Sequence, residues 1–204
     1  MVTVVDYKAG NLTSVMKALR FLGAEVCVAT QADELERATR IVLPGVGHFA
    51  ATVRLDRSGM TAAIRGAVAR GVPFLGICVG MQWLYAGSTE APEQAGMGYF
   101  TEQVTRFPDG AEDGAEKVPH VGWNQLELLR ATPLLKGVES GDFAYFTHAW
   151  RADVSQETIV TTQYMGQFSA ACQRGNVCGV QFHPEKSGAT GLKILRNFLE
   201  MAAC

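Results

Sequence analysis

Cys78 stands between two glycines, each two residues away, in the run Val72-Pro73-Phe74-Leu75-Gly76-Ile77-Cys78-Val79-Gly80-Met81-Gln82. A side chain at the tip of a tight strand-to-helix turn needs small neighbours on both sides, because the backbone folds closely past itself. That is the geometry of a nucleophile elbow, and cysteine serves there as well as serine. The elbow aims the sulfur into a cleft and sets backbone N–H groups and a helix N-terminus beside it, which favours a thiolate and a developing oxyanion. The competing reading is packing, since cysteine is among the most buried residue types. A nearby base decides between the two. Far downstream, Gln181-Phe182-His183-Pro184-Glu185 puts an imidazole and a carboxylate two residues apart. Pro184 holds the backbone between them in an extended shape. Residues i and i+2 of such a segment share a face. Glu185 is therefore expected to accept the His183 ring N–H and fix its tautomer, the orienting role in a triad. A lone histidine at a strand end is ordinarily structural. An elbow cysteine and a His-Pro-Glu run together are far more specific.

The elements that must carry these groups read as an alternation of strands and helices. Residues 72–77 form an apolar run of buried-strand length. Residues 2–6, 25–29 and 41–43 read as further strands. A helix through Leu12, Val15, Met16, Leu19 and Leu22 is expected after Asn11 as its N-cap, ending at Gly23. Residues 33–38 read as a short helix, and Met60, Ala63, Ile64, Ala67 and Val68 as another, closed by Gly71. This order predicts an α/β fold with a doubly wound, mostly parallel sheet flanked by helices. Sites in such sheets gather at the carboxyl ends of strands, where Cys78 and Pro44-Gly45-Val46-Gly47 both fall. The two glycines of that loop let backbone N–H groups turn toward a ligand, as an oxyanion hole requires.

A helix is expected from about Gly80, and residues 86–98 and 107–116 read as loops, the second one solvated. From Trp123 onward the pattern changes to short antiparallel strands over residues 125–128, 142–148 and 158–164. Residues 168–173 and 177–182 bracket a hairpin turn at Arg174-Gly175-Asn176. A last helix through Leu192, Leu195, Phe198 and Leu199 returns to the sheet. Residues 1–204 are expected to form one domain.

Composition narrows the class. Hydrophobic residues at 48% and charged residues at 19% suit a globular enzyme, and a net charge of −2 with no basic run gives nucleic acid no footprint. No apolar stretch reaches bilayer length and no secretory leader is visible, so a cytoplasmic protein away from membranes is expected. The five cysteines (27, 78, 172, 178 and 204) are odd in number and lack Cys-x-x-Cys pairing. Reduced thiols are expected, with neither a disulfide frame nor a metal site.

Gly-Ile-Cys-Val-Gly-Met-Gln with Gln-Phe-His-Pro-Glu resembles the triad-type (class I) glutamine amidotransferases. Pro44-Gly45-Val46-Gly47 and Lys117-Val118-Pro119-His120-Val121-Gly122-Trp123-Asn124 narrow the resemblance to the glutaminase subunits of imidazole glycerol phosphate synthases. It runs from the first strand to the last helix. It implies hydrolysis of L-glutamine by Cys78, His183 and Glu185, without a cofactor. The oxyanion hole would come from Gly45, Val46 and Gly47 together with the amide of Val79. Gln82 and Glu90 match positions that hold the glutamine α-amino and α-carboxyl region. The partner implied is a (βα)8-barrel cyclase in a heterodimer, receiving ammonia and making imidazole glycerol phosphate and AICAR in histidine biosynthesis. Lys117, Trp123, Asn124, Tyr145 and Lys186 are candidates for its docking face and the ammonia passage. One departure stands out: where relatives often carry a hydroxyl residue and then tyrosine, this chain has Ala149 and Trp150. His48, His120 and His148 read as structural or interfacial. The alternatives are a glutaminase subunit serving another synthase, such as that of the pyridoxal phosphate pathway, a cysteine hydrolase of another kind, and a non-catalytic binding subunit.

Overall fold

The computed structural model describes residues 1–108 and 117–202. Its first half alternates: β1 (Val2–Val5), α1 (Leu12–Phe21), β2 (Val26–Ala29), β3 (Ile41–Gly45), α2 (Val53–Arg57), α3 (Met60–Ala69), β4 (Phe74–Cys78) and α4 (Val79–Gln82). Its second half is mainly strand: β5 (Gly87–Ser88), β6 (Gln103–Arg106), β7 (His120–Gln125), β8 (Glu127–Leu128), β9 (Phe143–His148), β10 (Trp150–Ala152), β11 (Thr158–Gln163), β12 (Gln167–Arg174) and β13 (Val177–Val180). Helix α5 (Gly188–Glu200) closes it.

Among the described residues, the main sheet has the order β2-β1-β3-β4-β13-β12-β11-β8. Pairing is parallel from β2 to β13 and antiparallel from β13 to β8. The expected antiparallel addition in the C-terminal half is therefore present, joined to the parallel part at β13. Strands β1, β3, β4 and β13 are buried along their whole length. Their near-continuous Val, Ile and Leu content is what strands covered on both faces require. Strand β2 is at the edge and is only partly buried over most of its length. Two small sheets stand apart, β10-β6-β5 and the antiparallel pair β7-β9.

Several local expectations shift. Asn11 precedes α1 but makes no side-chain cap, because its φ/ψ of −81°/61° lie outside the usual capping conformation. The helix expected over residues 33–38 is a single 3-10 turn, Asp33–Leu35. The Glu34 carboxylate bends back to accept the amides of Thr30 and Gln31. Phe107 is buried rather than solvated, its ring edge-on to Phe168. Residues 109–116 of that expected loop, and Cys204, lie outside the described residues. Among the described residues no helix is long and apolar enough to cross a membrane.

Candidate active site

Strand β4 ends at Cys78, whose φ/ψ of 54°/−111° put a non-glycine residue in a rarely populated conformation. That is the elbow. It closes only because its glycines are bare: a Cβ on Gly76 would run into the Gly80 carbonyl, and one on Gly80 into the carbonyl of Leu43. The helix that follows starts at Val79 and is four residues long, after which Trp83, Leu84 and Tyr85 turn wholly into the core.

Strand β13 runs parallel to β4, with Val180 opposite Ile77. The chain leaving β13 therefore passes alongside Cys78. His183 is 1% exposed and the Glu185 side chain is fully buried. His183 Nδ1 and Glu185 Oε1 are 2.9 Å apart. The pair meets, but not along a strand as expected. His183 is extended, and Pro184–Lys186 then coil into a 3-10 turn with proline at its start. Proline cannot continue a ladder but fits the first turn of a helix, and the coil folds Glu185 back under the ring. Burial alone would depress the His183 pKa; the Cys78 sulfur and the Glu185 carboxylate outweigh it and raise it to about 9. Nε2 is buried and closes no hydrogen bond of ordinary geometry, although the sulfur is near enough to act on it electrostatically. Such looseness is usual before substrate arrives.

Hydrogen bonds hold the His183 backbone, one of them from the Lys186 N–H to its carbonyl at 3.0 Å. Its N–H donates to the Tyr145 carbonyl at 2.9 Å. The Tyr145 N–H donates to Ser187 Oγ at 2.9 Å, and that hydroxyl donates to the His183 carbonyl at 2.7 Å. His183 is thus tied to β9.

The loop after β3 is not arranged as an oxyanion hole at Val46. Gly45 pairs with Cys78 across the sheet. The next amide, Val46 N–H, donates to the Ala9 carbonyl at 3.1 Å, so it is already committed. Gly47 has φ +89°, a conformation that lets a peptide turn over at little cost. Glu90 lies at the far end of this loop: Oε2 accepts the Phe49 N–H at 2.8 Å and Oε1 is 4.0 Å from His48 Nε2. Glu90 therefore braces the loop.

Gln82 is 3% exposed, and its Nε2 donates to the Trp150 carbonyl at 3.0 Å and to Gln181 Oε1 at 3.1 Å. Gln181, which the sequence reading passed over, reaches the Cys78 sulfur with its own Nε2 at 3.7 Å. Its signal was present: a lone polar side chain inside the apolar run over residues 177–182.

The strand pair β7-β9 presents an outer face of Val121, Trp123 and Phe143, each about half exposed. Trp123 sits edge-on to Tyr145 at 5.9 Å, and Lys186 Nζ lies 5.8 Å from the Tyr145 ring. Asn124 falls on the opposite face, because neighbouring strand residues alternate. Its side chain is taken up by His120 Nε2 at 2.7 Å and the Gln163 carbonyl at 2.9 Å. Lys117 is exposed at the approach to β7, its backbone clasped by the Tyr164 hydroxyl. His120 and His148 are buried, and burial pushes His148 down to about 3, so it stays neutral and donates Nδ1–H to Trp150. His48 is exposed and accepts the Ala50 amide. Away from Cys78, Cys172 is fully buried and pushed up to about 12, and burial raises Cys178 as well, so both are held as thiols. A surface groove of about 650 Å³ lined by Arg130, Glu157 and Arg174 includes none of Cys78, His183 and Glu185. Its arginines are already bonded to Glu157 and to backbone carbonyls.

Residues 3–202 match the family model described as glutamine amidotransferase class-I. A chain from Caldanaerobacter subterraneus subsp. tengcongensis, named imidazole glycerol phosphate synthase subunit HisH, is 41% identical over 207 residues, covering 100% of both chains. One of the same name from Moorella thermoacetica is 44% identical over 203 residues, 98% of this chain and 94% of its own. A solved structure described as "Crystal structure of glutamine amidotransferase" superposes with a TM-score of 0.76 at 22% identity, covering 98% of each chain. A second, "Structure of PurLQS from Thermotoga maritima", gives 0.73 at 22% identity over 97% of this chain and 96% of that one. At such identity these two speak for the fold. With an elbow cysteine beside a buried histidine–glutamate pair and a family match spanning nearly its whole length, this chain belongs to the class-I glutamine amidotransferases.

Proposed function

We propose that this chain is the glutaminase subunit of an imidazole glycerol phosphate synthase. Cys78 attacks the side-chain amide carbon of L-glutamine, and His183 Nε2 holds the thiol proton and delivers it to the leaving nitrogen. Ammonia departs and a glutamyl thioester remains, which water then hydrolyses to glutamate. Glu185 orients the ring and stabilises its imidazolium. The observation that carries this reading is the buried His183–Glu185 pair, 2.9 Å apart, beside a cysteine at an elbow. The full-length likeness to subunits of that name supports the choice of synthase.

The oxyanion hole is where control resides. One such donor is worth on the order of 10²–10³ in rate, and Val46 N–H is bonded to Ala9 in this conformation. Turning the Gly45–Val46 peptide over would release the Val46 N–H from Ala9 and aim it at the substrate, opposite the amide of Val79. Isolated protein should therefore hydrolyse glutamine slowly. A cyclase of (βα)8-barrel type, paired as a heterodimer, would favour the turned form on docking. Trp123, Tyr145 and Lys186 offer it an aromatic and cationic face one residue removed from the His183 backbone, with Lys117 at its margin. Asn124 supports that face from beneath. Gln82 and Glu90 would line the glutamine site at its two ends. A cytosolic setting suits the free thiols Cys27, Cys78, Cys172 and Cys178.

The test is co-purification with a candidate cyclase, followed by glutamine-dependent and ammonium-dependent synthase assays. Glutamine-driven product formation that needs both chains is the expected result. Glutamine hydrolysis that no cyclase accelerates, with no product formed, would reject the proposed synthase.

A further inference from the structure

The Gln181 amide lies against the reacting sulfur, and its neighbours dictate which end faces it. Parallel pairing of β13 with β4 places residue 181 beside residue 78, and the Gln181 backbone N–H is fixed to the Ala170 carbonyl at 2.9 Å. The side chain is fully buried. Its polarity follows from a chain of contacts with one possible sense. The Trp150 carbonyl can only accept, so the end of Gln82 that approaches it at 3.0 Å is the NH2. That same NH2 reaches Gln181 at 3.1 Å, so the Gln181 atom there is the carbonyl oxygen. The Gln181 NH2 is left facing Cys78 Sγ at 3.7 Å. His148 steadies the start of the chain by donating to the same Trp150 carbonyl at 2.9 Å.

We propose that Gln181 is a catalytic hydrogen-bond donor to the Cys78 sulfur, held in that sense by Gln82 and the Trp150 carbonyl. The proposal rests on the glutaminase reading and deepens it. A thiolate occurs twice in that chemistry. It is the attacking form, and it is regenerated when water has added to the thioester and the C–S bond breaks, its electron pair passing to sulfur. An N–H donor favours the charged sulfur over the thiol in both events, because hydrogen bonds to charged acceptors are the stronger kind. Gln82 acts one step behind as a positioning residue: it touches no reacting atom in this arrangement, but it chooses the orientation of the amide that does.

The experiment measures alkylation of Cys78 by iodoacetamide from pH 5 to 10 in the complex with the cyclase, mapped by mass spectrometry, alongside glutamine turnover. Gln181→Met keeps the shape and removes the donor. Gln82→Met leaves Gln181 intact but removes the NH2 that holds its carbonyl, so the Gln181 amide is no longer fixed with its donor on the sulfur. Both variants are expected to alkylate about 10-fold more slowly at neutral pH, with the deficit closing as pH rises, and to lose kcat by a similar factor. Superimposable pH profiles for both folded variants and the parent would overturn the proposal. Should Gln181→Met fail to fold, Gln82→Met decides the matter alone. A parent complex that consumes no glutamine would sink the glutaminase reading, while a shifted alkylation profile would still uphold the hydrogen bond.

Discussion

Replacing Glu185 by glutamine removes one charge from a fully buried pair and leaves its shape. His183 sits at about 9 against an ordinary 6.5. At about 1.4 kcal/mol per tenfold, that gap is worth roughly 3 kcal/mol of preference for the imidazolium, shared between Cys78 and Glu185. The folded chain holds this proton more tightly than the unfolded one. Its stabilising contribution is therefore complete below about pH 6.5 and is lost as pH rises through about 9. In Glu185→Gln the amide no longer attracts the imidazolium, burial gains ground, and about half of this alkaline loss should disappear. Urea unfolding of parent and variant at pH 6.5, 7.5 and 9 reads that difference directly. The same interaction supports the imidazolium formed during turnover, so kcat should fall roughly 10- to 100-fold with KM little changed. Equal loss of stability between pH 6.5 and 9 in both proteins, or kcat within about twofold of the parent, would refute the reasoning.

Cys78→Ala should abolish glutamine-dependent synthesis while the partner still works with ammonium salt; replacing Cys27, Cys172 or Cys178 should spare both activities. His183→Ala should be nearly inactive, well below Glu185→Gln, in the same glutaminase assay. Ser187→Ala leaves the Tyr145 N–H without its partner, while the His183 carbonyl keeps the Lys186 N–H, costing about 1–3 kcal/mol of stability. It should also lower the ratio of activated to basal glutaminase rate, and an unchanged ratio would separate the strand from the triad. Trp123→Ala removes a half-exposed aromatic anchor, so titration with the cyclase should show roughly 10- to 100-fold weaker association. Glutamine should then be consumed without matching product.

What the sequence displayed best was whatever burial or backbone crowding writes into residue type. Strands β1, β3, β4 and β13 are covered on both faces, so they appear as continuous apolar runs. Gly76 and Gly80 are legible because no other residue leaves room for the turn. Matters of direction were not legible. Nothing in Pro44-Gly45-Val46-Gly47 tells which way the Val46 amide points, because Ala9 lies 37 residues earlier in the chain. Strand β7 carries polar residues on both faces, so its parity could not separate outward Trp123 from inward Asn124. The union of His183 with Glu185 was foreseen and its route was not, since proline serves equally to extend a chain or to start a helical turn. Gln82 was visible as a residue, but its bond to Gln181 spans 99 positions and follows only from the sheet order.

The elbow also sets stability against activity at a single position. Cys78 keeps φ +54°, a strain of about 1–3 kcal/mol for a residue with a Cβ. Glycine would adopt the same angles with little penalty, so Cys78→Gly should melt higher than the active protein. A population of variants ranked by thermal resistance or soluble yield alone would therefore favour chains that have lost their nucleophile. Improving this protein by stability selection requires glutamine turnover to be scored alongside. The glycine variant itself becomes useful for that reason: a well-folded, inert scaffold in which unreacted glutamine can be held for study.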